Sequence, residues 1–202
     1  MSTSHEGRSC GGSRDGEGAQ GREAHGKARG KPEEGEPLRY VLDTTALFNA
    51  KDFPIDFEIS VPQGVLDELI NWGMSERVRM LVGVRIHVES PSRNAIDRVE
   101  KAAERTGDID RLSPTDVQVL ALALDLQTPL ISDDYSIQNV ASSLGIECLP
   151  METRGIKKIY FWKYACRGCG KEFDRRLSEC DVCGKELVPR KYKAEELGHQ
   201  KM

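Results

Sequence analysis

The chain has 202 residues and a formal net charge of −4, room for one ordinary domain and one small module. No stretch approaches the roughly 18 apolar residues of a membrane span, and the N-terminus lacks the apolar run of a secretory signal, so a cytoplasmic protein is expected. The total charge does not by itself mark a nucleic-acid protein, but its distribution is uneven: −1 over residues 1–37, −8 over 38–150 and +5 over 151–202.

Residues 1–37 are rich in Gly, Ser, Glu and Arg and contain no Val, Ile, Leu, Phe, Tyr or Trp. Such a segment cannot bury enough apolar surface to offset its ordering entropy, so it reads as a disordered tail. Order is expected to begin at Leu38, with a strand over 38–42 that ends at Asp43-Thr44-Thr45, residues suited to opening a helix. A short helix follows at 45–49, then a strand at 57–61. Pro62 sits where a helix starts, and Val65, Leu66, Leu69 and Ile70 share one face of it. The next elements are a helix at 75–82 ended by Gly83, an alternating strand at 84–89 and a helix over 91–105.

Ser113-Pro114-Thr115-Asp116 supplies an N-cap, a proline at the first helical position and an acid at the third, ahead of Val117, Leu120, Ala121 and Leu124 at helical spacing. Thr128-Pro129 ends that helix. A brief strand at 130–131, a helix at 135–143 and a strand at 146–149 complete the series. Strands alternating with helices argue for an α/β domain with a mostly parallel sheet over 38–150. A basic linker at 151–160, a metal module at 161–193 and a frayed tail at 194–202 follow.

Six cysteines in a secreted chain would suggest disulfides. Here four form two C-x-x-C pairs, Cys166/Cys169 and Cys180/Cys183, separated by ten residues, while Cys10 and Cys148 stand alone. Two such knuckles close a tetrahedral site around one structural Zn²⁺, with Gly170 and Gly184 freeing the backbone after each pair. Rubredoxin-type iron and a redox dithiol are the competing readings. A module this small has little core, so the metal should hold it folded. Around it lie Lys157, Lys158, Lys163, Arg167, Lys171, Arg175, Arg176 and Lys191, interleaved with Tyr160, Phe161, Trp162 and Tyr164. Basic residues among aromatics suit an RNA surface; alternatively the aromatics pack the module and the charges solvate it. At least two of the four aromatics are expected to pack, and core packing is expected for Cys148.

Acidic residues recur at the ends of the predicted elements. Asp43 and Asp133/Asp134 follow strands, where the C-terminal rim of a parallel sheet forms its ligand crevice, and helices returning to that rim can add Glu68 and Asp116. Clustered carboxylates repel unless a cation joins them, and hard oxygen donors select Mg²⁺ or Mn²⁺. Such ions generate a nucleophilic water and stabilise the leaving oxygen of a phosphodiester. Each acid also has a plain structural reading. Asp116 completes a capping box, Asp133 or Asp134 caps a helix, Asp43 ends a strand, and Glu68 lies toward a solvated helix flank.

Taken together, these segments resemble a known family. Tyr40-Val41-Leu42-Asp43-Thr44-Thr45-Ala46-Leu47 resembles the opening of a PIN-type nuclease domain, Val65-Leu66-Asp67-Glu68-Leu69 its second acidic motif and Ser113-Pro114-Thr115-Asp116 its third. Ser132-Asp133-Asp134-Tyr135-Ser136-Ile137-Gln138-Asn139 resembles the fourth, in the form found with a C-terminal zinc ribbon. The combination is similar to the PIN–zinc-ribbon endoribonucleases of the NIN-one-binding-protein family, which trim the 3′ end of small-subunit (16S) ribosomal RNA, and the compact chain resembles the archaeal members.

The resemblance implies a metal-dependent endoribonuclease acting on precursor rRNA within the assembling small subunit. Asp43, Glu68, Asp116 and Asp134 would hold the catalytic cation, with Asp133 sharing the fourth role and Thr44, Thr45 and Ser132 orienting the acids. A toxin-like or RNA-decay PIN nuclease, and a non-catalytic ribbon that binds RNA or ribosomal protein, are the alternative readings.

Overall fold

The computed structural model describes residues 38–50 and 57–197. The segment expected to be disordered (1–37), Cys10 and residues 198–202 of the expected tail lie outside the described residues. Five strands pair in parallel in the order β3-β2-β1-β4-β5. They are β1 (Leu38–Leu42), β2 (Phe57–Val61), β3 (Ile86–Val88), β4 (Leu130–Ile131) and β5 (Cys148–Leu149). The connecting helices are α1 (Thr44–Asn49), α2 (Gln63–Trp72), α3 (Glu76–Leu81), α4 (Arg93–Thr106), α5 (Pro114–Leu126) and α6 (Tyr135–Leu144). Among the described residues no helix is long and apolar enough to cross a membrane.

The core follows from the apolar spacing. Val41, Ile59, Val61, Ile86 and Leu130 of the strands meet Val65, Leu69, Val99, Leu120 and Val140 of the helices, all almost fully buried. Helix α5 is the central one: Val117 and the run from Val119 to Ala123 are buried all round, as expected for a helix enclosed by its neighbours. Two strands are shorter than their sequence pattern. Gly83, at φ +79°, and the turn after it consume the start of the segment at 84–89. The Ile146 amide is spent on the carbonyl of Ala141 at the end of α6, so β5 begins only at Cys148. Cys148 packs against the core, as expected.

A second, antiparallel sheet follows: β6 (Lys158–Cys166), flanked by β7 (Glu172–Phe173) and β8 (Leu187–Glu196). Its long β6–β8 ladder runs from Lys158↔Glu196 to Cys166↔Leu187. The ribbon is therefore longer at both ends than the 161–193 expected from the cysteines, and residues 194–196 belong to a paired strand rather than a frayed tail.

The ribbon also docks onto the α/β domain. The Asn139 amide donates to the carbonyl of Tyr160 at 2.7 Å and accepts its N–H at 2.7 Å, while Tyr164 Oη donates to Asp110 at 2.9 Å. Gly107 ends α4 so close to β6 that a Cβ there would lie 2.4 Å from the carbonyl oxygen of Trp162.

Candidate active site and metal centre

In the strand order, β1 leads on to β2 and β3 on one side, and β4 to β5 on the other. The chain thus reverses direction across the sheet between β1 and β4, the place where a parallel sheet opens its ligand crevice. Asp43 and Ser132 leave these two strands side by side. The Asp43 amide bonds the carbonyl of Ile131 at 3.3 Å, and the Ser132 hydroxyl donates to the Asp43 carboxylate. Asp43 is almost fully buried and also caps α1, accepting the Ala46 amide at 2.6 Å. Thr44, buried beside it, donates to Glu68 of α2 at 2.5 Å; Thr45 is exposed. Asp116 forms the expected capping box with Ser113 at the start of α5. Gly64 lets α2 come close to that point: a Cβ on it would lie 2.8 Å from Thr115 Oγ1.

These acids lie near enough to feel one another's charge. Burial raises the pKa of Asp43, against the hydrogen bonds from Ser132 and Ala46, and the charges of Asp116 and Asp134 raise it further. Burial likewise raises Asp116, with Asp134 and Glu68 adding to the effect. Among the described residues no ion pair neutralises any of the four. Among the described residues the ligand atoms already grouped to hold one ion are those of the four cysteines, whereas the acids, coupled by charge and short of positive partners, would have to draw together around a hard divalent cation.

The adjacent aspartates of the fourth segment face different ways. Asp134 caps α6 through the amides of Ser136 and Ile137, and its own amide donates to Ser132 Oγ at 3.1 Å. Asp133 turns to the linker: its carboxylate accepts the amides of Met151, Glu152 and Thr153 at 3.0–3.1 Å. Burial opposes its charge, but the amides of Thr153, Glu152 and Met151 with the Thr153 hydroxyl together outweigh that and hold its pKa below 3.8. The expectation that Asp133 shares the fourth acid's place thus meets a different geometry, because the returning linker saturates it. Gln138 and Asn139, absent from the expected site, belong to the same anchorage. Gln138 accepts the Ile156 amide at 3.0 Å, and Asn139 donates to buried Asp108 at 2.6 Å.

In the ribbon, the sulfurs of Cys166, Cys169, Cys180 and Cys183 lie within 4.8 Å of one another. Tetrahedral zinc with Zn–S of about 2.3 Å requires S···S near 3.8 Å; the pairs Cys166–Cys183 and Cys169–Cys180 stand at 3.3 and 3.6 Å. The two knuckles repeat one hydrogen-bond pattern. Gly170 and Gly184, at φ +74° and +66°, donate to the carbonyls of Cys166 and Cys180, and the amides of Gly168 and Val182 point at the sulfurs of those cysteines. The amides of Cys169 and Gly168 favour the Cys166 thiolate and bring its pKa to about 6. The Lys185 amide favours the Cys183 thiolate too, but the sulfurs opposite, Cys166 first, push it up to about 11. Without a cation the group therefore keeps protons rather than four charges, and a metal would bind by displacing them.

The basic set divides. Lys158, Lys163, Arg167 and Lys171 pair with Glu196, Asp174, Glu186 and Asp181. Lys157, Arg175, Arg176 and Lys191 form no ion pair among the described residues. Arg175 and Arg176 line a cleft of about 840 Å³ that they share with Glu104, Asp110, Glu172 and Asp174. Of the aromatics, Phe161 and Tyr164 are buried, whereas Tyr160 and Trp162 are only partly so.

Residues 40–126 match the family model described as the PIN domain of ribonuclease. The Endoribonuclease Nob1 of Archaeoglobus fulgidus is 38% identical over 160 residues, 76% of this chain and 92% of that protein. That of Pyrococcus abyssi is 35% identical over 162 residues, 78% and 98% of the two chains. The Ribonuclease VapC1 of Thermoplasma acidophilum is 38% identical over 148 residues, 73% and 76% of the two. With the acidic crevice at the reversal of a parallel sheet and a four-cysteine ribbon behind it, the chain belongs to the PIN-domain endoribonuclease family that includes the archaeal Nob1 proteins.

Proposed function

We propose that this protein is a cytoplasmic endoribonuclease that hydrolyses one phosphodiester of precursor small-subunit (16S) rRNA, forming its mature 3′ end within the assembling subunit. The charge coupling of Asp43 and Asp116 with Glu68 and Asp134, beside the point where β1 and β4 part, supports this reading. These four would hold Mg²⁺ or Mn²⁺. Such a cation lowers the pKa of a water and neutralises charge developing on the phosphate.

The remaining roles belong to the chain itself. Ser132 donates to Asp43 and accepts from the Asp134 amide, so one hydroxyl aligns two acids from different elements. Thr44 fixes one oxygen of Glu68 in the same way. Asp134 is the fourth acid in this scheme, and Asp133 anchors the linker. The acidic crevice repels RNA on its own, so the basic ribbon, holding one structural Zn²⁺, supplies electrostatic attraction for the strand. The four cysteines touch no substrate.

A second reading has its own support, since two similar proteins carry the name VapC: a toxin-like or RNA-decay nuclease of broader substrate range. Incubating purified protein with Mn²⁺ and RNA spanning the rRNA 3′ junction, beside unrelated RNAs, separates the two. Cleavage confined to the mature end, absent in Asp43→Asn, is expected. Equal cutting of unrelated RNAs would support the second reading, and binding without any cleavage, free or on precursor subunits, would overturn both.

A further inference from the structure

A cleft of about 560 Å³ lies between the start of α6 and residues Tyr160 and Trp162 of β6, distinct from the acidic crevice but beginning one residue from it. Tyr135, next in the chain after Asp134, forms one wall and is 58% exposed. Tyr160 and Trp162 form the other, with ring centroids 6.3 Å apart and planes 40° apart. A register shift between Phe161 and Trp162 accompanies this arrangement: Phe161 is buried while Trp162 stays on the cleft side. The Arg111 guanidinium lies 4.4 Å from the Trp162 ring centroid, and Lys157, which forms no ion pair among the described residues, stands at the rim. The carboxylate in the lining, Asp108, is buried and committed to Asn139 and Arg111.

We propose that this cleft binds one unpaired nucleobase of the RNA strand beside the scissile phosphate, stacked among Tyr135, Tyr160 and Trp162, with Arg111 and Lys157 on the flanking phosphates. The inference rests on the endoribonuclease reading and adds to it a subsite that holds one base of the strand. Exposed aromatic faces beside cations suit splayed bases, which stack on aromatic rings and guanidinium planes. The volume falls within the range of about 300–1,000 Å³ typical of small-ligand sites. A base inside a duplex is stacked on its neighbours and has no free face to offer. The cleft's place next to Asp134 sets the base close to the acids, so the device selects strands as well as holding them.

Binding can be read without cleavage. In an Asp43→Asn, Trp72→Phe chain loaded with zinc, Trp162 is the sole tryptophan, and its emission is followed on adding single-stranded oligouridine or a duplex of equal length. Saturable quenching by the single strand and none by the duplex is expected. Tyr135→Ala should weaken oligouridine binding about 5- to 100-fold, whereas Tyr135→Phe should keep it, since the ring and not the hydroxyl stacks. An abasic oligomer should bind the parent chain no more tightly than oligouridine binds Tyr135→Ala, and Tyr135→Ala should cost it little further.

Unchanged affinity in Tyr135→Ala, or equal quenching by duplex, would overturn the proposal. A chain that binds oligouridine in this way yet cleaves no RNA with Mn²⁺ would overturn the nuclease reading and leave the cleft standing. A chain that cleaves, but with Tyr135→Ala indistinguishable from the parent on unpaired RNA, would do the reverse.

Discussion

In the acidic crevice, three of the four carboxylates are bonded into helix N-termini, whereas in the ribbon two of the four buried core residues are themselves candidate metal ligands. Asp43, Asp116 and Asp134 are held by amides of α1, α5 and α6, and these helices pack on a core that needs no cation. The ribbon's own core is Tyr164, Cys166, Cys180 and Leu187, with Phe173 and Leu177 against it. A cation in the crevice is therefore added to a finished frame, while in the ribbon it completes the frame. On this reading a catalytic cation would stay exchangeable and a structural one closed, as catalytic and structural sites generally differ.

The largest way to break that contrast is to remove a ligand of the ribbon's metal. Cys166→Ser should abolish the knuckles and the β6–β7 pairing while the α/β domain keeps its cooperative transition, with amide exchange separating the two regions. Next comes Gly64→Ala. Its methyl would press on Thr115, costing about 1–3 kcal/mol and forcing α2, with Glu68, away from Asp116; denaturant unfolding and kcat should both register it. Asn139→Ala removes the paired bonds to Tyr160 and strands buried Asp108. A loss of about 1–3 kcal/mol and faster proteolysis of the segment at 150–157 are expected.

The smallest effect is in pH. Asp43 and Asp116 have raised pKa values in the metal-free fold, so the folded chain keeps protons that the unfolded chain releases. Their contribution to stability is complete below the unfolded value near 3.8 and is lost as pH rises through the raised values. A bound cation prefers the ionised acids, so in zinc-loaded protein the Tm increase produced by Mn²⁺ should grow as pH rises across that window.

What the sequence discloses and what it conceals divide along contact distance. The capping box at Ser113 and Asp116, the strand leading to Asp43 and the two knuckles are local patterns, written within a few residues, and each forms where its spacing implies. Asp133 and Asp134 are neighbours of the same type, and only the return of residues 151–153 separates them. Asn139, Asp108 and the Tyr164–Asp110 bond are likewise set by packing between elements distant in sequence. The split among the four aromatics is hidden for the same reason, since it accompanies a register shift against β8.

The adjacent aspartates also offer the most direct test of the account, that one acidic crevice works independently of the joint to the ribbon. Mn²⁺-dependent cleavage of the junction RNA under saturating single-turnover conditions should vanish in Asp134→Asn, which keeps a capping side chain for α6. It should persist at nearly the parental rate in Asp133→Asn, which should instead lower the Tm. Loss of cleavage in Asp133→Asn with retention in Asp134→Asn would contradict the assignment.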